Sequence, residues 1–152
     1  FASDHQVAVI PYSPLASGML TGKHGASGKP LAKSKFAARD DSRGGQLKSR
    51  YFNKACFEVV EKFTALAEYH NQPSIRLVLQ WVSEFHGVTA PIFGAKTVEQ
   101  IQNILDAWSE SAPDEVMSEV RTIANDFESK APMTYPPHPG QAFGTLPRII
   151  TA

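Results

Sequence analysis

Hydrophobic positions change their spacing along this chain, and each change marks an element. Val7-Ala8-Val9-Ile10 is an unbroken apolar run, mostly β-branched and ended by Pro11. Such a run fits a short strand buried on both faces, as in a parallel sheet under helices. Pro11 weighs against the other option, a segment of buried helix. From Asn53 the period becomes helical: Cys56, Val59, Val60, Phe63, Leu66 and Ala67 recur at steps of three and four, while Glu58, Glu61, Lys62 and Glu68 take the other face. Asn71-Gln72-Pro73 ends that helix and begins another, with Pro73 in its first turn. Ile75, Leu77, Val78, Leu79, Trp81, Val82 and Phe85 are apolar around most of this second helix, which predicts a helix wedged between layers. Gly87 is its predicted C-terminal cap.

Val88 to Phe93 is the second strand candidate, broken by Pro91. Thr97-Val98-Glu99-Gln100 has the form of a capping box, and Val98, Ile101, Ile104 (or Leu105) and Trp108 give the buried stripe of the helix it opens. A last helix starts near Ser111-Ala112-Pro113-Asp114, with Val116, Val120, Ile123 and Phe127 inward. After Lys130, five prolines make residues 131–152 an irregular tail. Gly22 to Arg50 is rich in Gly, Lys, Ser and Asp without a sustained period. Loops of that length inside compact domains serve mostly as functional covers or are disordered.

The order strand, long loop, two helices, strand, two helices, tail predicts an α/β fold with parallel strands. Two strands alone leave edges and apolar faces uncovered. Either the helices form an unusual bundle or most of the sheet lies outside the sequence, and the second option is favoured. The chain opens on Phe1 and enters an apolar run within six residues, which reads as a cut inside a larger fold.

Composition narrows the function. Fifteen Lys+Arg balance fifteen Asp+Glu over 152 residues, against the basic excess of most nucleic-acid or membrane-surface binders. The densest apolar stretch, Ile75 to Phe85, is interrupted by Arg76, Gln80 and Glu84 and is far short of the roughly 20 residues of a membrane span. The single Cys56 excludes an internal disulfide and any multi-cysteine zinc site. No signal peptide is recognisable.

Two turns can carry chemistry. In Phe93-Gly94-Ala95-Lys96-Thr97, Gly94 permits close backbone approach, and the following helix points unpaired amides and its positive dipole end at the turn. Lys96 adds a cation and Thr97 a hydroxyl, which together suit a phosphate. The plainer reading is a capped helix with an exposed lysine; the Walker spacing is absent. The second turn, Pro11 to Lys23, sets Tyr12 before a Ser-Pro bend at a strand's carboxyl end, where a ring can stack on a flat ligand. Here the plainer reading is a packed tyrosine in a simple turn.

These residues carry a resemblance. Tyr12-Ser13-Pro14-Leu15-x-x-Gly18-x-Leu20-Thr21-Gly22-Lys23 resembles the segment after the seventh strand of aldo-keto reductases. Pro91-Ile92-x-Gly94-Ala95-Lys96-x-x-Glu99-Gln100 is similar to that family's segment after the eighth, and Leu79-x-Trp81-Val82 lies where the family often has a similar helix. The likeness covers roughly residues 7 to 128. It implies the C-terminal part of a (β/α)8 barrel, the last two βα units plus a C-terminal helix and tail, with 22–50 as a cofactor-covering loop. It also implies an NADP-dependent, cytoplasmic oxidoreductase acting on aldehydes, ketones or alcohols by hydride transfer.

By the resemblance, Tyr12 stacks on the nicotinamide, and Ser13, Pro14, Leu15, Ala16, Ser17 and Gly18 lie under its ribose and the pyrophosphate. Lys23 matches a basic residue of the closing loop, and Ser34-Lys35 stands where some members have Ser-Arg. Gly94, Lys96 and Thr97 resemble the 2′-phosphate pocket, and Gln100 a residue beside the adenine. The family often has Asn four residues later; here that position is Ile104, with Asn103 one residue before it. The family's catalytic Asp, Tyr, Lys and His belong to the preceding half of the barrel, so no catalytic residue is assigned. Tyr51, Tyr69 and Tyr135 lack the matching context.

The five histidines show no metal-ligand spacing; Cys56 reads as core and Asp40-Asp41 as solvated. The Tyr135-Pro136-Pro137-His138-Pro139-Gly140 segment is a possible polyproline-type ligand, or by the resemblance a drape over the barrel mouth. Two competing readings are a non-catalytic nucleotide-binding regulatory subunit, like the channel-associated β subunits that resemble this family, and an independent helix-rich interaction module.

Overall fold

A computed structural model of the protein describes residues 1–25, 29–32, 34–37, 48 and 50–130. Four α-helices dominate them: α1 (Lys54–Tyr69), α2 (Ser74–Glu84), α3 (Val98–Trp108) and α4 (Asp114–Lys130). The helix starts follow local chemistry. The Asn53 side chain accepts a hydrogen bond from Cys56 N–H at 3.0 Å, and the Thr97 hydroxyl accepts one from Gln100 N–H at 3.2 Å, each satisfying a donor that the first helical turn leaves open. Pro73 occupies the cap position itself, extended at φ −62° and ψ 126°. At the other end of α2 the cap is Phe85, not Gly87. Gly87 instead takes φ +90° in a turn closed by Val88 N–H to the Phe85 carbonyl at 3.0 Å, a backbone conformation that favours glycine.

Two apolar clusters hold the helices together. The larger joins Phe63, Leu66 and Ala67 of α1, Leu77 and Val78 of α2, and Val116, Met117 and Val120 of α4, with Ala112 just before α4. Burying one such Leu or Val contributes about 1.5–3 kcal/mol. The smaller sets Met19, Phe36 and Val60 among Tyr51, Phe52 and Phe57, and thus pins described parts of the 22–50 segment to α1. Around the rim, Lys62 pairs with Asp126 at 2.8 Å and Arg121 with Glu84 at 2.9 Å. Arg76, nearly buried, donates to the Ala107 carbonyl (3.3 Å) and the Gln72 amide oxygen (3.0 Å) and meets Glu110 at 2.8 Å. It thereby ties the end of α3 to the start of α2.

The two predicted strands require correction. Val7–Ile10 and Val88–Phe93 run parallel and side by side, but they meet at two isolated bridges, Val9 with Val88 and Tyr12 with Ile92; among the described residues there is no strand. The cause lies in the prolines. Thr89 N–H donates to the Val9 carbonyl at 2.8 Å, and continuing that parallel register would require the N–H groups of residues 11 and 91. Both are proline and have none. The register therefore slips by one residue, and pairing resumes with Ile92 N–H to Pro11 O at 2.8 Å and Ser13 N–H to Ile92 O at 3.2 Å. An extra residue on one side of a pair is where a sheet tolerates proline.

The α3 stripe also departs from expectation. Ile104 is buried as predicted, and Ala107 joins it, but Val98, Ile101, Leu105 and Trp108 are exposed. The α4 stripe is close to prediction, with Val116 and Val120 buried and Met117 added. The tail, 131–152, and most of the 22–50 loop, including Asp40-Asp41, lie outside the described residues.

Candidate functional site

The resumed pairing above the slip decides where the candidate residues lie. Tyr12 and Ile92 face one another across a bridge, and Ile92 bonds both Pro11 and Ser13. The turns 13–18 and 93–97 therefore leave the pair at the same end. Tyr12, 63% exposed, stands at that end.

The first turn is left-handed for much of its length. Ser13 (φ +56°), Ala16 (+47°), Ser17 (+59°) and Gly18 (+94°) all take positive φ, at about 1–2 kcal/mol for each residue with a Cβ. Local bonds hold it: Ala16 N–H to Ser13 O at 2.9 Å, Gly18 N–H to Leu15 O at 2.8 Å, and the Thr21 hydroxyl to Gly18 O at 2.8 Å. Leu15 and Leu20 pack on the larger core and Met19 is buried in the smaller one, so the turn rests on a fixed floor. The Lys23 amine folds back over it: a Cβ at Gly18 would lie 2.8 Å from Lys23 Nζ. Glycine leaves that space without displacing the amine.

The second turn is polar and open. Gly94 has no atom within 4 Å of where a Cβ would stand, so the close approach expected there involves no group of the described chain. Lys96, Thr97, Gln100 and Asn103 are exposed. Gln100 makes a shifted capping box: its Oε1 accepts from the Lys96 N–H at 2.8 Å, one residue before the cap. The positive end of α3 and the Lys96 cation converge on this turn. Lys35 opens a short turn, Lys35–Ala37, on the aromatic cluster.

Spacing along the chain marks His24 only as lacking metal-ligand partners; the structure gives it a further setting. Its ring is buried, edge-on to Phe36 and Phe52 at centroid distances of 5.0 and 5.5 Å. Burial, and secondarily the Lys23 charge, hold its pKa below the usual histidine range. The density of aromatics at Phe36, Tyr51, Phe52 and Phe57 was the available signal. Cys56 is half-buried, and burial pushes its thiol pKa up, opposed by the Asn53 hydrogen bond. No cluster of His, Cys, Asp or Glu among the described residues is grouped to hold a metal ion, and no described helix is long and apolar enough to cross a membrane.

Two parallel bridged segments, each followed by a turn, thus bring the 13–18 and 93–97 turns to one end of the pair. The chain belongs to the aldo/keto reductase family, whose profile matches residues 1–125. That is a family of oxidoreductases, and its fold is a (β/α)8 barrel. The chain is 28% identical over 134 residues to the uncharacterized oxidoreductase YrpG of Bacillus subtilis, covering 88% of this chain and 37% of that protein. It is 30% identical over 107 residues to an aldo-keto reductase of Fusarium vanettenii, covering 70% and 26%. A third relative, an aldo-keto reductase of Pseudocercospora fijiensis, is 25% identical over 104 residues, covering 65% and 35%. The chain thus spans about a third of the length of the curated relatives it matches.

Proposed function

We propose that this chain is the NADPH-holding part of an aldo-keto reductase, namely its last two βα units with α4 and the 131–152 tail. The groups that activate an aldehyde, ketone or alcohol lie in a preceding part of the barrel. The observation that carries this reading is the Tyr12–Ile92 bridge, which sets two turns suited to two ends of one dinucleotide at a common rim. The donor chemistry fits the group. Lys96 and the N-terminus of α3 offer a cation and amides to a 2′-phosphate, and Gly94 leaves the approach open. Thr97 already accepts from Gln100 N–H, which leaves its hydroxyl proton to donate.

At the other turn the exposed Tyr12 ring is the platform for the nicotinamide. Ser13 to Gly18 form a floor for its ribose and the pyrophosphate, and Lys23, held over Gly18, supplies the counter-charge. Lys35 adds a further cation from the covering loop. Gln100 and Asn103 flank the adenine, and Gln100 gives up its bond to Lys96 N–H as phosphate arrives. Bound NADPH supplies the hydride; these residues orient the cofactor and exclude water from it.

Lys96 separates this reading from general nucleotide affinity. A hydrogen bond to a charged group contributes about 1.5–3 kcal/mol. Lys96→Ala in the whole polypeptide that carries this chain therefore weakens NADPH by about tenfold to a hundredfold and leaves NADH nearly unchanged. Titration of cofactor fluorescence reads both affinities. Equal losses for the two cofactors overturn the assignment of Lys96 to the extra phosphate.

A further inference from the structure

Three steps of chain lead from Val9 to Tyr12, but four lead from Val88 to Ile92. The second segment therefore carries one residue more than the first between the same two bridges. Thr89 holds the lower end twice: its N–H donates to the Val9 carbonyl at 2.8 Å, and its hydroxyl accepts from Val9 N–H at 3.2 Å. Ile92 holds the upper end twice, donating to Pro11 O and accepting from Ser13 N–H. Between these two holds, the missing donors both belong to prolines. In an unslipped ladder residue 11 donates to the Thr89 carbonyl, and residue 91 takes the carbonyl of residue 11 that Ile92 now uses. One residue of strand advances about 3.3 Å, and an extra residue re-aims the chain that follows it. The slip thus sets how far the 93–97 turn stands from the 13–18 turn, and which face of the pair each of Ile92 and Phe93 takes.

We propose that Pro11 and Pro91 are positioning residues for the cofactor. By withholding two donors they hold the second segment one residue out of step, and this sets the span between the turn at Tyr12 and the turn at Lys96. They act through the register, not through contact with the cofactor. The inference rests on the reading of these turns as the two ends of one NADPH site. A ligand that engages both turns gains from its linkage only when the span fits both at once. Hydrogen bonds tolerate about half an ångström in length, far less than one step of strand. A ligand that engages a single turn is indifferent to the span. A wrong register therefore weakens the dinucleotide and spares its halves.

The test uses the whole polypeptide that carries this chain, with Pro11→Ala and Pro91→Ala combined to supply both donors. Residue-resolved hydrogen exchange reads the register. Titration with NADPH, reduced nicotinamide mononucleotide and adenosine 2′,5′-bisphosphate reads the span. Protection is expected to leave the Ile92 amide and appear at position 91. NADPH is expected to weaken at least about tenfold, with each half-molecule within about twofold of its wild-type affinity. Deleting Pro91 from Pro11→Ala removes the extra residue, so that Ile92 meets residue 11 with no slip, and is expected to restore most of the lost NADPH affinity. Protection that stays on Ile92 in the double-alanine variant overturns the proposal, and so does a shift in protection with NADPH binding unchanged. Equal losses of NADPH and both halves also overturn it, because they make the prolines merely structural. So does a deletion variant that folds, by urea unfolding, yet binds NADPH as weakly as the double-alanine one. Wild-type protein that binds none of the three ligands overturns the NADPH reading and the role of the prolines with it; the other failures remove the role of the prolines alone.

Discussion

Gly18→Ala tests whether the 13–18 turn is held in its left-handed form by the chain itself. Two costs enter. Alanine at φ +94° opposes its own backbone preference by about 1–2 kcal/mol. The new Cβ also meets Lys23 Nζ at 2.8 Å and Cε at 3.0 Å. Those atoms end a flexible side chain that can swing into solvent, so the second cost is small in stability, but it removes the amine from its place over the turn. Gly18→Ala is therefore expected to lose about 1–2 kcal/mol in urea unfolding, lowering the midpoint by roughly 0.3–2 M at slopes of about 1–3 kcal/mol/M. The same substitution in a Lys23→Ala background should cost as much, to within about 0.5 kcal/mol. NADPH affinity should fall in the single variant, and Lys23→Ala should add little to that fall. Unchanged stability in Gly18→Ala refutes the left-handed turn, and a loss that vanishes once Lys23 is removed shows that the clash, not the backbone, set the cost.

His24 should make the protein less stable in mild acid. Its folded pKa lies below the usual 6.5, so below about that pH the unfolded chain binds the extra proton first, and stability falls as the pH drops through the folded value. His24→Phe, which keeps an aromatic ring beside Phe36 and Phe52, should flatten this part of the stability profile measured by denaturant titration across pH; an equally steep profile in the variant rules His24 out as the source. Arg76→Ala should cost about 1.5–3 kcal/mol, because it releases the Ala107 carbonyl, Gln72 and Glu110 together. Glu110→Ala, at the exposed end of the same cluster, should cost less than about 1 kcal/mol; equal losses in urea unfolding would show that the ion pair alone holds the two helices.

The sequence displayed helix starts better than it displayed strands. Asn53 and Thr97 cap α1 and α3 as their side-chain chemistry requires, because a cap is decided within a few residues. The strands depended on a register between segments nearly eighty residues apart, and there Pro11 and Pro91 fall on donor positions that no local pattern reveals. Periodicity likewise identified the apolar stripe of α3 but not its covering: spacing records which positions avoid water, not what stands against them. Gly87 follows an apolar helix, the usual place of a cap, but the helix closes at Phe85 and a further turn intervenes. The two candidate turns were legible because Gly, Pro, Ser and Lys restrict a backbone locally. Their shared rim came from the pairing, and His24 gained its burial from aromatic rings up to about thirty residues away in sequence.

Ile92 fastens both turns at once, giving its amide hydrogen to Pro11 and its carbonyl to Ser13. The prolines interrupt the ladder below it, so these bonds are separate from the Val9–Thr89 contact. The rim is built as a clasp, with the two turns closed on one residue and not on a continuous ladder. A molecule long enough to reach from one turn to the other meets a mount whose two arms share a single pin.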